Sequence, residues 1–369
     1  MLVRKNLVSV VSLLCVLFLA FPSYSKSNKT TPSKSNVTKK ALIKPKKSKS
    51  NSPVQHIFFK ESGANFHVLK VDLNNRRVNL DLALAYNKTN RKENVSKIAQ
   101  RYGAIAAING SFFHSRNSIH SAVGLLMSEG VVIADSGHRR TSMVITEDNK
   151  IIIGIPKISN FIIMPELGIN MKVNGINQVR GKSHITVYNN FFGKTTRTTQ
   201  GGREVLVNQD GIITGYRKNN SVIPQGGFVI SMAKANSSIV DKYPIGTQVY
   251  LNSVINHPWN TVKTLITGSP QLVKNGKIYN TYKKEKLQSS IGGSATRTAV
   301  GITSNNKFLM MTATGGTTFN TLAKIMKRMG AKDAMALDGG GSTDMYLKGK
   351  TLVTHYRPVT NALVVKLNR

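Results

Sequence analysis

Gly330-Ala331-Lys332-Asp333-Ala334-Met335-Ala336-Leu337-Asp338-Gly339-Gly340-Gly341-Ser342-Thr343 runs from a glycine stop through a short apolar segment to an aspartate and three glycines. Before it, Leu322, Ile325, Met326 and Met329 fall at i, i+3, i+4 and i+7, the period of an amphipathic helix, which Gly330 closes and Asn320 or Thr321 can cap. The same order occurs earlier. Val95, Ile98, Ala99 and Tyr102 repeat the helical spacing and Gly103 stops it. Ala104 to Ile108 is apolar, and Asn109-Gly110-Ser111-Phe112-Phe113 follows. Each unit predicts a helix, a buried strand, a polar residue and a glycine turn. Ligands commonly sit where loops leave the ends of buried strands, so the two loops are expected to share one cleft.

Outward from these units the chain reads as strands. Phe66 to Leu73 alternates and meets Asn74-Asn75; Val78 to Ala85, Val131 to Ala134, Ser142 to Thr146 and Lys150 to Ile155 continue in that style. Asp148-Asn149, Asp210-Gly211 and Asn275-Gly276 sit between apolar runs as hairpin turns. The expected fold class is α+β: mixed β-sheets, few helices, and glycine-rich loops at strand ends forming one cleft.

The N-terminus is different. Residues 1–25 read as a signal peptide, with Arg4 and Lys5, an apolar stretch from Leu7 to Ala20, and small residues at Ser23-Tyr24-Ser25. That stretch is shorter than the ~20 residues a membrane span needs, so a retained anchor is the weaker alternative. Residues 26–53 hold nine lysines and no acid, the composition of a disordered linker, and residues 54–369 remain as the folded domain. Cys15 is the only cysteine, which rules out disulfides and thiolate metal sites. With leader and linker set aside, the body still carries 41 basic against 16 acidic side chains. Such a balance favours polyanionic surroundings: an anionic envelope polymer or a membrane surface, held through the lysine tail. Nucleic acid is the weakest of these partners, since no recognition module appears.

The glycine loops carry the chemistry. Converging amides at Gly339, Gly340 and Gly341 can hold a phosphate, with Ser342 and Thr343 adding hydroxyls. Asp338 can serve as acid, base, nucleophile or cation ligand. Arg297, in Thr296-Arg297-Thr298-Ala299-Val300-Gly301, offers a fork for phosphate or carboxylate, and Glu204 after Gly201-Gly202-Arg203 is a candidate second carboxylate. Gly110 and Ser111 extend the first loop. Asp338 and Asp344 loosely suggest a structural calcium, but no zinc motif or other cofactor signature is present.

Five segments, INGSFF, SPQLVKNGKI, TRTAVGI, ALDGGGST and YRPVTNALVV, stand in the order seen in the phosphodiester glycosidase family, which the chain resembles from Val54 to Asn368. The resemblance implies an exported hydrolase that cleaves sugar-1-phosphodiester bonds in an envelope or extracellular glycan. It places Asn109, Glu204, Arg297 and Asp338 in the catalytic site. One segment departs from the family: Thr314-Gly315-Gly316 stands where Asp-Gly-Arg or a close variant is usual. The departure keeps a rival open, a non-catalytic binder of anionic envelope phosphopolymers. A basic structural protein of the envelope would explain the tail but not the loops.

Overall fold

The computed structural model describes residues 52–114, 119–256, 262–354 and 357–368. The signal-peptide and lysine-linker readings fall, but for Ser52 and Pro53, outside these residues. The folded part begins with the strand Val54–Glu61, and the described residues form sheets of seven, ten, five and three strands with two α-helices. This is the sheet-rich α+β arrangement expected from the sequence.

Period-two patterning explains how the sheets stack. In the strand Lys307–Thr317, Phe308 and Met310 enter one apolar cluster while Leu309 and Met311 enter another on the opposite face. In Asn361–Leu367, Leu363 and Val365 face the first cluster, and Ala362 and Val364 face a third. The first cluster is a common core of the seven-, five- and ten-stranded sheets, drawing Val300 and Met335, Ile108 and Leu363, and Leu126 and Ile266 from them in turn.

Helix α1, Val95–Arg101, covers the outer face of the five-stranded sheet. Helix α2, Phe319–Arg328, covers that of the seven-stranded sheet through Phe319, Leu322, Ile325 and Met326. Both stop at a left-handed glycine, Gly103 (φ 62°) and Gly330 (φ 92°). The cap of α2 is Thr318, whose hydroxyl accepts from Thr321 N at 3.2 Å. The sequence points to Asn320 or Thr321, two or three residues too far in, because Phe319 already belongs to the helix and packs against the sheet. The Asp148-Asn149, Asp210-Gly211 and Asn275-Gly276 turns each join an antiparallel pair.

Ala106–Asn109 is the central strand of the five-stranded sheet, and Ala331–Ala336 lies in the seven-stranded sheet beside Ala295–Thr303. The shared core sets these sheets against each other, and the two strands end side by side.

Candidate active site

The two glycine loops meet. Asp338 N donates to Gly110 O at 3.1 Å and Gly110 N to Asn361 O at 2.9 Å. The Asn109 side chain completes the join: Nδ2 donates to Asp338 O at 2.6 Å, and Oδ1 accepts from Thr298 Oγ1 at 2.9 Å and from Asp344 N at 3.1 Å. A Cβ at Gly110 would lie 1.9 Å from Asn361 Oδ1, and one at Gly339 2.7 Å from Thr296 O, so both approaches require glycine.

Asp338 is 8% exposed, and burial pushes its carboxyl up to about 6 against the opposing pull of Ser342, Arg357 and the Gly339 N–H. Arg357 Nη2 stands 3.3 Å from Asp338 Oδ2. Its Nε and Nη2 also donate to Ser342 Oγ at 3.0 and 2.6 Å, and its guanidinium lies 5.5 Å from the centre of the Phe113 ring. The Arg357 side chain is 44% exposed, so this cation faces both Asp338 and solvent. Gly340–Ser342 forms a 3₁₀ turn in which Ser342 N and Thr343 N donate to Gly339 O and Gly340 O. Among the described residues the Gly340 and Gly341 N–H groups have no backbone partner, so they can turn to a ligand.

Other expected site residues stand elsewhere in role. Asn109 is fully buried and its amide is spent on protein groups, so it positions Asp338 rather than touching substrate. Ser111 and Thr343 are buried too, Ser111 bonded to Asn361 and Thr343 to Thr298. Arg297 is 5% exposed; it donates to Thr317 O at 3.2 Å, to Ile291 O at 2.7 Å and to Gly293 O, and lies 4.0 Å from the centre of the Phe319 ring. Its fork serves backbone carbonyls, which corrects the reading of Arg297 as a phosphate clamp.

Glu204 belongs to the ten-stranded sheet, not to the two that carry Asn109 and Asp338. It has no exposed surface and accepts from Thr196 Oγ1, Thr198 Oγ1, Ser221 N and Ser231 Oγ at 2.8–3.2 Å. Those donors occupy both oxygens, so Glu204 is not a second carboxylate facing the Asp338 cleft. Thr314-Gly315-Gly316 lies within the Lys307–Thr317 strand, next to the Thr317 carbonyl that holds Arg297.

Asp344 adjoins the site from behind. It is 7% exposed, burial pushes it up to about 7 against the opposing pull of the Val95 and Met345 N–H groups and Thr354, and Oδ1 has no hydrogen-bond partner. Among the described residues no group of three or more His, Cys, Asp or Glu could hold a metal. Arg357 and Asn361 belong to the site although residue type and spacing do not single them out. Both lie in the terminal Tyr356-Arg357-Pro358-Val359-Thr360-Asn361 run, whose distance from Asp338 in the chain gives no hint that it closes the cleft.

Comparison with known proteins bears on the same segments. Residues 187–366 match the phosphodiester glycosidase family. The match takes in Glu204, Arg297, Asp338 and Arg357 and excludes Asn109, so the resemblance read from the motifs holds over nearly half the chain. An uncharacterised protein of Rickettsia conorii is 29% identical over 191 residues, which are 49% of this chain and 66% of that protein. A hypothetical protein of Synechocystis has a similar structure (TM-score 0.74, 22% identity, 85% of this chain and 62% of that one). So does a Burkholderia pseudomallei protein taken to be exported (TM-score 0.71, 18% identity, 82% and 74%). The chain thus spans just under two thirds of the Rickettsia and Synechocystis relatives, and at these identities the two structures show a shared fold. The fold is phosphodiester glycosidase-like.

Proposed function

We propose that this protein is an exported hydrolase that cleaves the sugar–oxygen bond of a sugar-1-phosphodiester in an envelope or extracellular glycan. The observation that carries the reading is Asp338, buried between two glycine loops with the Arg357 guanidinium 3.3 Å from its carboxylate. Arg357 and the Gly340 and Gly341 N–H groups would receive the phosphate, whose negative charge grows as it departs. Fixed donors aimed at developing charge lower a barrier more than mobile water does. Asp338, ionised, would stabilise or trap the oxocarbenium-like sugar. A phosphate leaving group needs little protonation, so one carboxylate suffices for the chemistry. The N-terminal leader supports export, and the lysine linker would hold the enzyme near anionic polymers or membrane surfaces.

The second reading, a non-catalytic binder of anionic phosphopolymers, draws on the burial of Glu204 and on Thr314-Gly315-Gly316. Incubation with UDP-N-acetylglucosamine and related sugar-1-phosphodiesters separates the two. We expect free sugar to be released, kcat/KM to fall as pH drops below about 6 with protonation of Asp338, and Asp338→Asn to reduce release by at least about a hundredfold. Tight binding without turnover across the panel would favour the binder.

A further inference from the structure

We propose that the cavity between residues 88–91 and 193–197 is a separate binding site for a phosphate ester that carries free hydroxyl groups. It encloses about 330 Å³ and is lined by Lys88, Arg91, Lys194 and Arg197 together with Asn90 and Thr195. None of its described lining residues is acidic. Basic side chains gathered around one small concavity make its potential positive, which favours an anion seated among them. The volume suits a single phosphate with a few attached carbons rather than a flat polymer face.

Asn90 supplies the second recognition element. It is 5% exposed, lines the cavity, and its Oδ1 has no hydrogen-bond partner. An unused buried acceptor among cationic donors matches a carbon-borne hydroxyl set away from the phosphate group, which a glycerol or sugar phosphate offers and inorganic phosphate, with only the P–OH of its own anionic group, does not.

The walls are built rather than incidental. Lys88 Nζ donates to Asn190 O at 2.6 Å and Thr89 N to Phe191 O at 2.8 Å, tying the two segments together. Arg197 holds φ 52°, a left-handed conformation that costs a non-glycine residue energy. The flanking Thr196 and Thr198 hydroxyls both bond Glu204, which fixes that conformation from beneath. Glu204 thereby becomes a positioning residue for this cavity. The inference requires no turnover at Asp338.

The test titrates the full chain with glycerol 3-phosphate, inorganic phosphate and glycerol, using calorimetry at low and high salt. The wild-type protein should bind glycerol 3-phosphate more tightly than inorganic phosphate, and less so in high salt. Arg91→Gln/Lys194→Gln, at two exposed positions, should weaken binding about tenfold while Asp338-dependent sugar release from small substrates is kept. Asn90→Ala should bring glycerol 3-phosphate down to the affinity of inorganic phosphate. Arg357→Gln separates the two sites, and in it this binding should persist. Binding lost in Arg357→Gln yet kept in the double variant would assign the ligand to the Asp338 cleft and overturn the proposal, as would absence of binding by the wild type.

Discussion

Arg357 and Asp344 show how single side chains set the state of the cleft. Arg357 bridges Ser342 and Asp338 with one edge of a rigid fork, Nε and Nη2 both on Ser342 and Nη2 also facing Asp338, a geometry that a lysine ammonium does not reproduce. Arg357→Lys is therefore expected to cut kcat/KM for sugar release by roughly a hundredfold, close to the loss of one preorganised donor. Near wild-type kinetics would remove Arg357 from the mechanism. Asp344 bears on stability. Its carboxyl rises from 3.8 in the unfolded chain to about 7 when folded. Below pH 4 both states keep the proton, and nothing is lost. Between about 4 and 7 only the unfolded chain releases it, so this group makes folding less favourable as pH rises, by a few kcal/mol at most. Asp344→Asn should gain Tm relative to wild type across that window; a difference that does not change with pH would contradict the assignment.

At the scale of elements, the loop from Gly193 to Thr198 is secured by Glu204, and a neutral amide there would set N–H against hydroxyl and N–H donors. Glu204→Gln is expected to cost about 1–3 kcal/mol, seen as a lower Tm, with kcat/KM changed by less than about tenfold below the melt. Unchanged stability with turnover lost would restore Glu204 as a second carboxylate. Much of this level was legible in the sequence. Both helices, their glycine stops, the buried strands after them and three hairpin turns follow from periodicity and turn chemistry, which act within a few residues. The cap of α2 was misplaced because Phe319 is apolar and serves both the helical face and the sheet contact. The roles of Arg297 and Glu204 were not legible. Residue type signals that a fork or a carboxylate wants partners, but only the fold shows that carbonyls and hydroxyls supply them. Arg357 was missed for the same reason, since its closeness to Asp338 depends on two sheets meeting over a shared core.

Across the whole molecule, charge is the dominant property, with 52 basic against 16 acidic side chains. If the lysine linker tethers the enzyme electrostatically, deleting residues 26–53 should leave turnover of small substrates intact. It should also weaken retention on anionic polymers, most visibly at low ionic strength. Equal retention of both forms would refute the tether. The central claim concerns which bond breaks in the Asp338 cleft, and isotopically labelled water tests it directly. Hydrolysis of a sugar-1-phosphodiester in oxygen-labelled water should place the label on the released sugar and leave the phosphate unlabelled, and Asp338→Asn should cut that product at least about a hundredfold. Label on the phosphate, or release that Asp338→Asn leaves near the wild-type rate, would contradict the account.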